Sequence, residues 1–393
     1  MEIKFRYAKK ASLYKYEGID YSTDDMKIIM RKAYMTFNKY FFENYSMDIP
    51  FDKNNPRYVL SLDGVDEILE KIIRNKPFSL GIEDFENAEL VHALLHIEVL
   101  QQKNEKLGMA VPFFIEKDAV ILKELSKKVA GNITDELIRH KKLLLEIIEQ
   151  IENGYSSERN LYHLLCGYIF DGLMFDYLEE NQLVTTSCIH KTGLDYVVIL
   201  YEDSNALNEY SDLLLCSYNR LIINGKGFVS FGDSNGNRKD FYRYMRLKEL
   251  NRLSEQEKMY MDCPAEKLIE NFDRMIAGEE VEAKYIEIYN YFGYCKNEQI
   301  IVPVYDEKSY KIADKLYKLV LDITKEQIVN ALTVIQSENR LSSIAHNVEA
   351  KDIANEIYHL IFGEVNEILV QNGIVSEPLF IQGQGRYLKA FER

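Results

Sequence analysis

Apolar side chains recur every three or four residues along most of the chain, which is the spacing of helices buried on one face. Val, Ile and Leu follow this spacing over residues 65–73 and predict an amphipathic helix that ends before Pro77. Longer helices are predicted over residues 86–106, 116–129, 134–152 and 156–180, and again from about Pro264 to Gln371. The pattern therefore predicts a mainly helical protein.

The helical period is interrupted in places that predict β-structure. Residues 183–188 and 196–201 flank Lys191-Thr192-Gly193, which predicts a β-hairpin. Residues 227–232 and 241–245 flank the turn signal of residues 233–237 and predict a second hairpin after a helix over residues 206–218. A short strand is predicted over residues 58–62, and a terminal hairpin is predicted over residues 377–391.

The chain resembles itself at a spacing of about 190 residues. Val111-Pro112 recurs as Val302-Pro303, and Glu116-Lys117 recurs as Glu307-Lys308. Further pairs are Ile121, Leu125 and Lys127 with Ile312, Leu316 and Lys318; Ile133-Thr134 with Ile323-Thr324; Tyr162-His163-Leu164 with Tyr358-His359-Leu360; and Asn181 with Asn372. The spacing is too long for a solenoid repeat, so it predicts a duplicated domain.

Each predicted copy reads as helices followed by two strands, an order that resembles a winged-helix module without any family motif. Residues 162–180 and 358–371 would then take the recognition position, and the hairpins would be the wings. The predicted fold is α+β and mainly helical, with two duplicated helix-plus-β-hairpin modules and an N-terminal helical segment. The predicted domains are an N-terminal α/β segment (1–80), a first module (81–203), a middle hairpin or linker (204–262) and a second module (263–393).

Charge argues against DNA recognition by those two helices. Residues 162–180 contain four carboxylates and no Lys or Arg, and residues 358–371 contain Glu364 and Glu367. The whole chain has 48 Lys and Arg against 63 Asp and Glu, a net charge of −15. Because carboxylates repel a phosphate backbone, acidic modules of this kind favour a protein partner.

Glu89, His92 and His96 form a candidate metal set. They lie at positions i, i+3 and i+7 of a predicted helix and so share a face. Two His and a carboxylate are ligands for zinc or iron, although Ala93 stands where a metalloprotease signature has Glu. The alternative is that these His side chains are partly buried and hydrogen-bonded.

The dipeptides Tyr162-His163 and Tyr358-His359 are retained in both predicted copies. A functional role is one interpretation of this retention. We favour the other, in which each pair packs at the same corner of its module and each His bonds a backbone carbonyl.

A basic segment interrupts the acidic chain and also contains Phe241, Tyr242 and Tyr244. Its cations are Arg238, Lys239, Arg243, Arg246, Lys248 and Arg252. Cations interleaved with aromatic rings are typical of nucleic-acid contacts, since the rings stack on bases. The alternative is a linker paired with nearby acids.

We expect from these features a non-enzymatic interaction or regulatory protein that binds a protein partner. The alternatives are a nucleic-acid-associated regulator that uses the basic segment and a metal-dependent enzyme that uses Glu89, His92 and His96. No cofactor, catalytic residue or oligomeric state can be assigned. The sequence has no apolar run long enough for a membrane span and no signal-peptide pattern, so we expect a cytoplasmic location.

Overall fold

The computed structural model describes residues 32–34, 52–60, 62–186, 190–193, 196–202, 216–233, 239–241, 253–337, 341–379 and 386–393. Within these ranges the protein is a mixed α+β structure, mainly helical, with small sheets. This confirms the broad fold class that the periodicity predicts.

The first half of the chain, through Glu202, contains a helix that begins at a side-chain cap. The Asn87 side chain accepts a hydrogen bond from the Leu90 amide at 3.2 Å and starts α3. The elements of this half are β1 (Lys32–Tyr34), α1 (Pro56–Leu60), α2 (Val65–Arg74), α3 (Ala88–His96), β2 (Leu100–Lys103), β3 (Lys106–Met109), β4 (Phe113–Phe114), α4 (Glu116–Arg139), α5 (Lys141–Ile148), α6 (Ser157–Leu161), a π-helix (Tyr162–Leu173), α7 (Met174–Glu180) and β5 (Val197–Tyr201).

The described part of the second half begins at Cys216. A capping box of Ser254 and Glu257 starts α8. The elements are β6 (Cys216–Ile223), β7 (Lys226–Asp233), α8 (Glu255–Met261), α9 (Ala265–Ile276), α10 (Ala283–Phe292), β8 (Cys295–Lys296), β9 (Gln299–Ile300), β10 (Val304–Tyr305), α11 (Glu307–Ser337), α12 (Ser342–Ala345), α13 (Ala350–Gln371) and β11 (Tyr387–Glu392).

Two sheets contain strand pairs in matching register. In the sheet of order β1-β5-β4, the strands β4 and β5 are parallel and Phe113 lies opposite Leu200. In the sheet of order β10-β11-β7-β6, the strands β10 and β11 are parallel and Val304 lies opposite Phe391. On both strands the second pair lies 191 residues further along the chain than the first.

The main hydrophobic core contains side chains from both halves. Helix α13 packs on α4, and α11 packs on α4 and α5. Leu137 and Ile169 from the first half share this core with Leu316 and Val365 from the second half. Two smaller clusters lie beneath α2, α3 and their hairpin, and beneath α8, α9 and α10.

The hairpins predicted from the sequence pair strands that are not neighbours in the observed sheets. Strand β5 pairs with β1 and β4, and residues 183–186 form no strand. Its run Val-Val-Ile-Leu suits a central strand buried on both faces, so its two neighbours can come from distant segments. Strand β7 pairs with the preceding β6 through the turn Asn224-Gly225, and β11 pairs with β7 and β10. Both turn residues have positive φ, 52° and 78°, as a two-residue hairpin turn requires.

Other predicted elements change type. Residues 58–60 belong to helix α1 rather than a strand, and Cys216–Tyr218 lie in β6 rather than in a helix. The helix predicted over residues 86–106 stops at His96, where Glu98 adopts a left-handed φ of 53° and the β2–β3 hairpin follows. The apolar side chains of this hairpin continue the spacing of the helix, so periodicity did not mark the boundary.

A π-helix lies within the last helix of the first half. α6, the π-helix and α7 continue without a break over residues 157–180. Helix α13 of the second half, which contains the other Tyr-His pair, is α-helical and two residues shorter. The same type of hydrogen bond follows both helices. The Leu183 amide donates to the Leu178 carbonyl at 2.8 Å, and the Ile374 amide donates to the Leu369 carbonyl at 3.0 Å. A π-helix uses more residues per turn, which accommodates the extra length.

Candidate functional site

A strand edge of the first half is closed by a segment of the second half. Phe113 lies in edge strand β4, and two amides on the β5 side donate to the carbonyls of Pro112 and Phe114 at 3.0 and 2.9 Å. The amide and carbonyl of Phe113 therefore face away from β5. Ser343 in α12 bonds to both groups, since its hydroxyl accepts from the Phe113 amide at 2.9 Å and donates to the Phe113 carbonyl.

His346 extends this closure. Its Nδ1 accepts from the Met109 amide at 3.2 Å, and its ring meets Phe113 edge to face at 5.1 Å. The side-chain amide of Gln101 donates to the carbonyls of His346 and Met109 at 3.1 and 2.8 Å. Burial lowers the pKa of His346 to about 4, so the imidazole is neutral at physiological pH and can accept this bond. We call residues 341–348 the closing segment.

Asp118 connects the closing segment to the start of α4. Its carboxylate oxygens accept from the amides of Ser342 and Ile115, each at 3.2 Å. The side chain is fully buried, and burial raises its pKa although these hydrogen bonds oppose the rise. A helix start, a strand edge and the closing segment are thus held by one connected set of polar contacts.

A cavity of about 450 Å³ is lined in part by Val304 of β10, which stands 191 residues after Phe113. It lies between the loop of residues 150–155, β9, β10 and the start of α11. Tyr155 spans it, since its hydroxyl donates to the Ile301 carbonyl at 2.8 Å. The aliphatic lining residues are Ile151, Ile276, Ile300, Val302, Val304 and Ile312, and the polar ones are Gln150, Glu152, Asn153, Tyr155, Asp306, Lys308, Ser309 and Arg393.

The cations at the cavity already have acidic neighbours. Arg393 Nε lies 2.8 Å from Asp273 Oδ1, and Lys308 Nζ lies 3.6 Å from Glu152 Oε2. At the helix start, the Ser309 amide and hydroxyl both donate to Asp306 Oδ1, at 2.8 and 2.7 Å. The cavity therefore combines aliphatic walls with a polar rim of both charges.

His163 lies beside this region and is completely buried. Its ring stacks on Tyr305, with centroids 5.0 Å apart and planes at 7°, and meets the edge of Tyr218 at 5.7 Å. Neither ring nitrogen has a hydrogen-bond partner within the described part of the chain. Burial, with Arg220 nearby, lowers the pKa of His163 to about 3, so the side chain behaves as a neutral aromatic ring.

Asp171 of the π-helix closes another strand edge. The Tyr218 amide in edge strand β6 donates to Asp171 Oδ2 at 2.5 Å. Burial raises the pKa of Asp171 well above its usual range. The Tyr218 hydroxyl donates to Glu392 Oε1 at 2.7 Å, and Arg220 donates to Glu392 Oε2 at 3.1 Å. Asp171, predicted on an acidic recognition face, thus serves to cap the sheet.

The helices predicted for the recognition position are largely internal. Most residues of the π-helix and of α13 are buried against the core. A recognition helix needs a free face that can enter a groove. The buried faces of these two helices do not fit that role.

The predicted metal residues lie on α3. Glu89 and His92 are exposed, while His96 is half-buried and its Nε2 lies 2.8 Å from Asn54 Oδ1. Within the described ranges, no group of three or more His, Cys, Asp or Glu side chains is placed to hold a metal ion. The metal set remains a prediction.

The two Tyr-His pairs have different surroundings. Tyr162 packs on Phe231 at 5.0 Å, beside the unbonded His163. The Tyr358 hydroxyl donates to the Phe170 carbonyl at 2.7 Å, and His359 Nδ1 lies 2.9 Å from the Asn355 carbonyl. The carbonyl bond expected of both His is therefore present at His359 and absent from the contacts of His163 with described residues.

Only one cation of the predicted basic segment can be placed. Lys239 is exposed, and its amide donates to the Tyr387 hydroxyl at 2.8 Å. The other five, Arg238, Arg243, Arg246, Lys248 and Arg252, lie outside the described residues. Nucleic-acid binding by this segment remains a prediction.

Sequence reasoning missed Ser343, His346 and Asp118. Each acts across the fold, and Ser343 contacts a residue 230 positions away. Their only signal was the Val-Pro and Glu-Lys pairs, which set β4 and β10 in register but do not indicate what covers either edge.

Comparisons with known proteins give no identification. No family model matches the chain, and neither a curated protein nor a solved structure matches it. No described helix has the length and apolar character needed to cross a bilayer. Any functional conclusion therefore rests on the geometry above.

Proposed function

We propose that this chain is a non-enzymatic interaction or regulatory protein, built from two related halves, that binds a protein partner. The observation that supports this most is the matching register of β4–β5 and β10–β11, 191 residues apart on both strands. Two copies of one unit that share a core form a scaffold with two comparable junctions, one beside edge strand β4 and one beside edge strand β10. One junction is closed by the chain itself, and the other contains an open cavity.

The order of elements within each half supports a binding module. In both halves two helices precede a short hairpin, as α2-α3-β2-β3 and as α9-α10-β8-β9. This order resembles the helix–helix–wing part of a winged-helix module, with α3 and α10 in the recognition position. Helix α3 contains no Lys or Arg, and the single Lys of α10, Lys284, lies 3.1 Å from Glu282. These helices favour a protein surface over phosphate.

The test is recovery of a partner from cells that express the protein. A tagged full-length chain is cross-linked in place, and recovered proteins are quantified against a tag-only control. We expect one protein in fixed ratio, which then co-elutes with the purified chain in size-exclusion chromatography. Recovery of no such partner, together with turnover of a small molecule by the purified chain, would contradict the proposal.

Two rival functions have direct tests. Nucleic-acid binding by the basic segment predicts salt-sensitive mobility shifts that weaken in the Arg243→Ala, Arg246→Ala double variant.

A metal enzyme at Glu89, His92 and His96 predicts bound metal in freshly purified protein and loss of stability with a chelator. Either result would displace the interaction function.

A further inference from the structure

The geometry points to the cavity beside β10 as a docking site for an extended peptide segment of the partner protein. We infer that the peptide hydrogen-bonds to the backbone edge at Val304 and places an apolar side chain against the aliphatic walls. The inference rests on the proposed function, since it names the surface that the partner occupies.

The backbone of edge strand β10 is unpaired on one side at Val304. The amides of Phe391 and Arg393 donate to the carbonyls of Pro303 and Tyr305 at 2.9 and 2.8 Å. The amide and carbonyl of Val304 therefore face away from β11, and Val304 is one of the residues that line the cavity. None of the described residues hydrogen-bonds to either group. An unpaired strand edge is a template for an added peptide.

At two other strand edges, side chains of this protein hydrogen-bond to the unpaired backbone groups. Phe113, in the same register position as Val304, has both backbone groups bonded by the Ser343 hydroxyl. Tyr218 in edge strand β6 has its amide bonded by Asp171. Side chains of this protein thus hydrogen-bond to the backbone at two strand edges. At Phe113, the position equivalent to Val304, the edge is covered by the closing segment of the same chain.

The space beside Val304 reflects the size of the side chains around it. At Phe113 the aromatic ring and the imidazole of His346 fill the junction. Val304 has no ring, and Ser309 stands 191 positions after the buried carboxylate of Asp118. Smaller side chains at matching positions leave the volume of about 450 Å³, which is within the usual range of ligand pockets.

The lining of the cavity indicates the chemistry of its occupant. Six Ile and Val side chains form the walls, so burial of an apolar side chain is favourable. Arg393 and Lys308 are already next to carboxylates, which leaves little attraction for a phosphate or another strong anion. A peptide offers a donor and an acceptor for Val304 and adds no net charge, which matches a rim of both signs.

The test uses a random-peptide phage library selected on the purified full-length chain. Selected peptides are measured by calorimetry against wild type, Val304→Phe and Val334→Phe. The first variant fills the cavity with the ring that the first half has at this position. The second adds the same ring at a 46% exposed valine on α11, outside the cavity lining. We expect enriched peptides with a shared apolar position, bound about tenfold or more weakly by Val304→Phe alone.

A second readout remains informative if Val304→Phe folds poorly. The chain contains no Trp, so Ile301→Trp places a single indole beside the cavity, at a position that is 47% exposed. Peptide binding should shift its fluorescence, whereas Val334→Trp should be unaffected. A peptide-free indole that is already shielded and unchanged by peptide would show that this chain covers its own edge, which overturns the proposal.

The outcomes separate the two proposals. Peptides that bind wild type and Val304→Phe equally, without a signal at position 301, would overturn the docking site and leave the interaction function standing. Selection of no peptide at all would also overturn the docking site. Recovery of no partner by cross-linking, together with turnover of a small molecule by the purified chain, would in contrast contradict the proposed function whatever these peptides do.

Discussion

At the scale of single residues, His163 is a titratable side chain that is held as an uncharged aromatic ring. It is fully buried, stacks on Tyr305, and has no hydrogen-bond partner among described residues for either nitrogen. A buried polar atom without a partner costs about 1–3 kcal/mol. The sequence showed a His in a repeated dipeptide but not its burial, because burial depends on Tyr218 and Tyr305 from elsewhere in the chain.

His163→Phe should therefore preserve or increase stability. Phe keeps the aromatic packing and removes two unbonded nitrogens, so we expect a gain of up to about 1 kcal/mol in the free energy of unfolding. Urea denaturation followed by circular dichroism measures it. Tyr358→Phe is the contrasting variant, because it removes the bond to the Phe170 carbonyl and should lose about 1 kcal/mol. A loss of more than about 2 kcal/mol in His163→Phe would contradict the interpretation.

The same residue predicts a pH dependence. The folded-state pKa of His163 is lowered to about 3 from an ordinary value of 6.5, so the unfolded state binds a proton in this interval and the folded state does not. Stability from the neutral imidazole is complete above pH 6.5 and is lost as the pH falls. The stability gap between His163→Phe and wild type should widen below pH 6.5, by at most about 1.4 kcal/mol per pH unit. A constant gap in urea titrations across this range would contradict the prediction.

At the scale of elements, the closing segment shows which parts of the fold the sequence could not specify. Helix α2 follows from local spacing, because its buried residues Val65, Ile68, Leu69 and Ile72 share one face. The partner of a strand depends on residues far away, which is why β5 and β7 were paired wrongly. The contact between Ser343 and Phe113 has no local signal at all.

Ser343→Ala should destabilise the protein strongly. It leaves the buried amide and carbonyl of Phe113 without partners, so we expect a loss of about 2–4 kcal/mol. The midpoint of urea unfolding measures this loss. Thr333→Ala is the control, because its exposed hydroxyl donates to the Val329 carbonyl in its own helix and to no other described residue, so the substitution should change stability by less than about 0.5 kcal/mol. Equal effects of the two substitutions would show that the strand edge does not need Ser343.

Two glycines in helices should respond in opposite ways to alanine. A Cβ at Gly167 in the π-helix would lie 2.7 Å from the Phe231 ring, so Gly167→Ala should cost about 1–3 kcal/mol. Apart from its chain neighbours and the nearby backbone of its own helix, no described atom lies within 4 Å of a Cβ at Gly131 in α4, so Gly131→Ala should gain about 0.5–1 kcal/mol. Thermal unfolding of both variants measures the difference. A stabilised Gly167→Ala would mean that the π-helix can move away from β7.

At the scale of the whole molecule, the shared core determines how the halves behave. Helix α13 packs on α4, and β11 pairs with β7, which precedes the predicted second module of residues 263–393. The sequence predicted two like modules from matched residue pairs, but those pairs lie at intervals and do not show how the modules pack. The separation into four domains therefore stays a prediction.

A fragment of residues 263–393 should not fold alone. It would expose the face of α13 that packs on α4 and would lack β7, the central neighbour of β11. We expect no cooperative unfolding transition in circular dichroism, whereas the full chain unfolds with coincident signals from backbone and tyrosines. A fragment with a sharp transition of its own would show that the common core is dispensable.

The π-helix also has a consequence for engineering by deletion. The unbroken helix over residues 157–180, which contains the π-helix, is two residues longer than α13, and the hydrogen bond that follows residue 180 matches the one that follows α13. Removing residues from this stretch would let the turns tighten and would rotate everything downstream about the helix axis. Asp171 would then leave the β6 amide, so the length of this helix fixes the alignment of the sheet beside it.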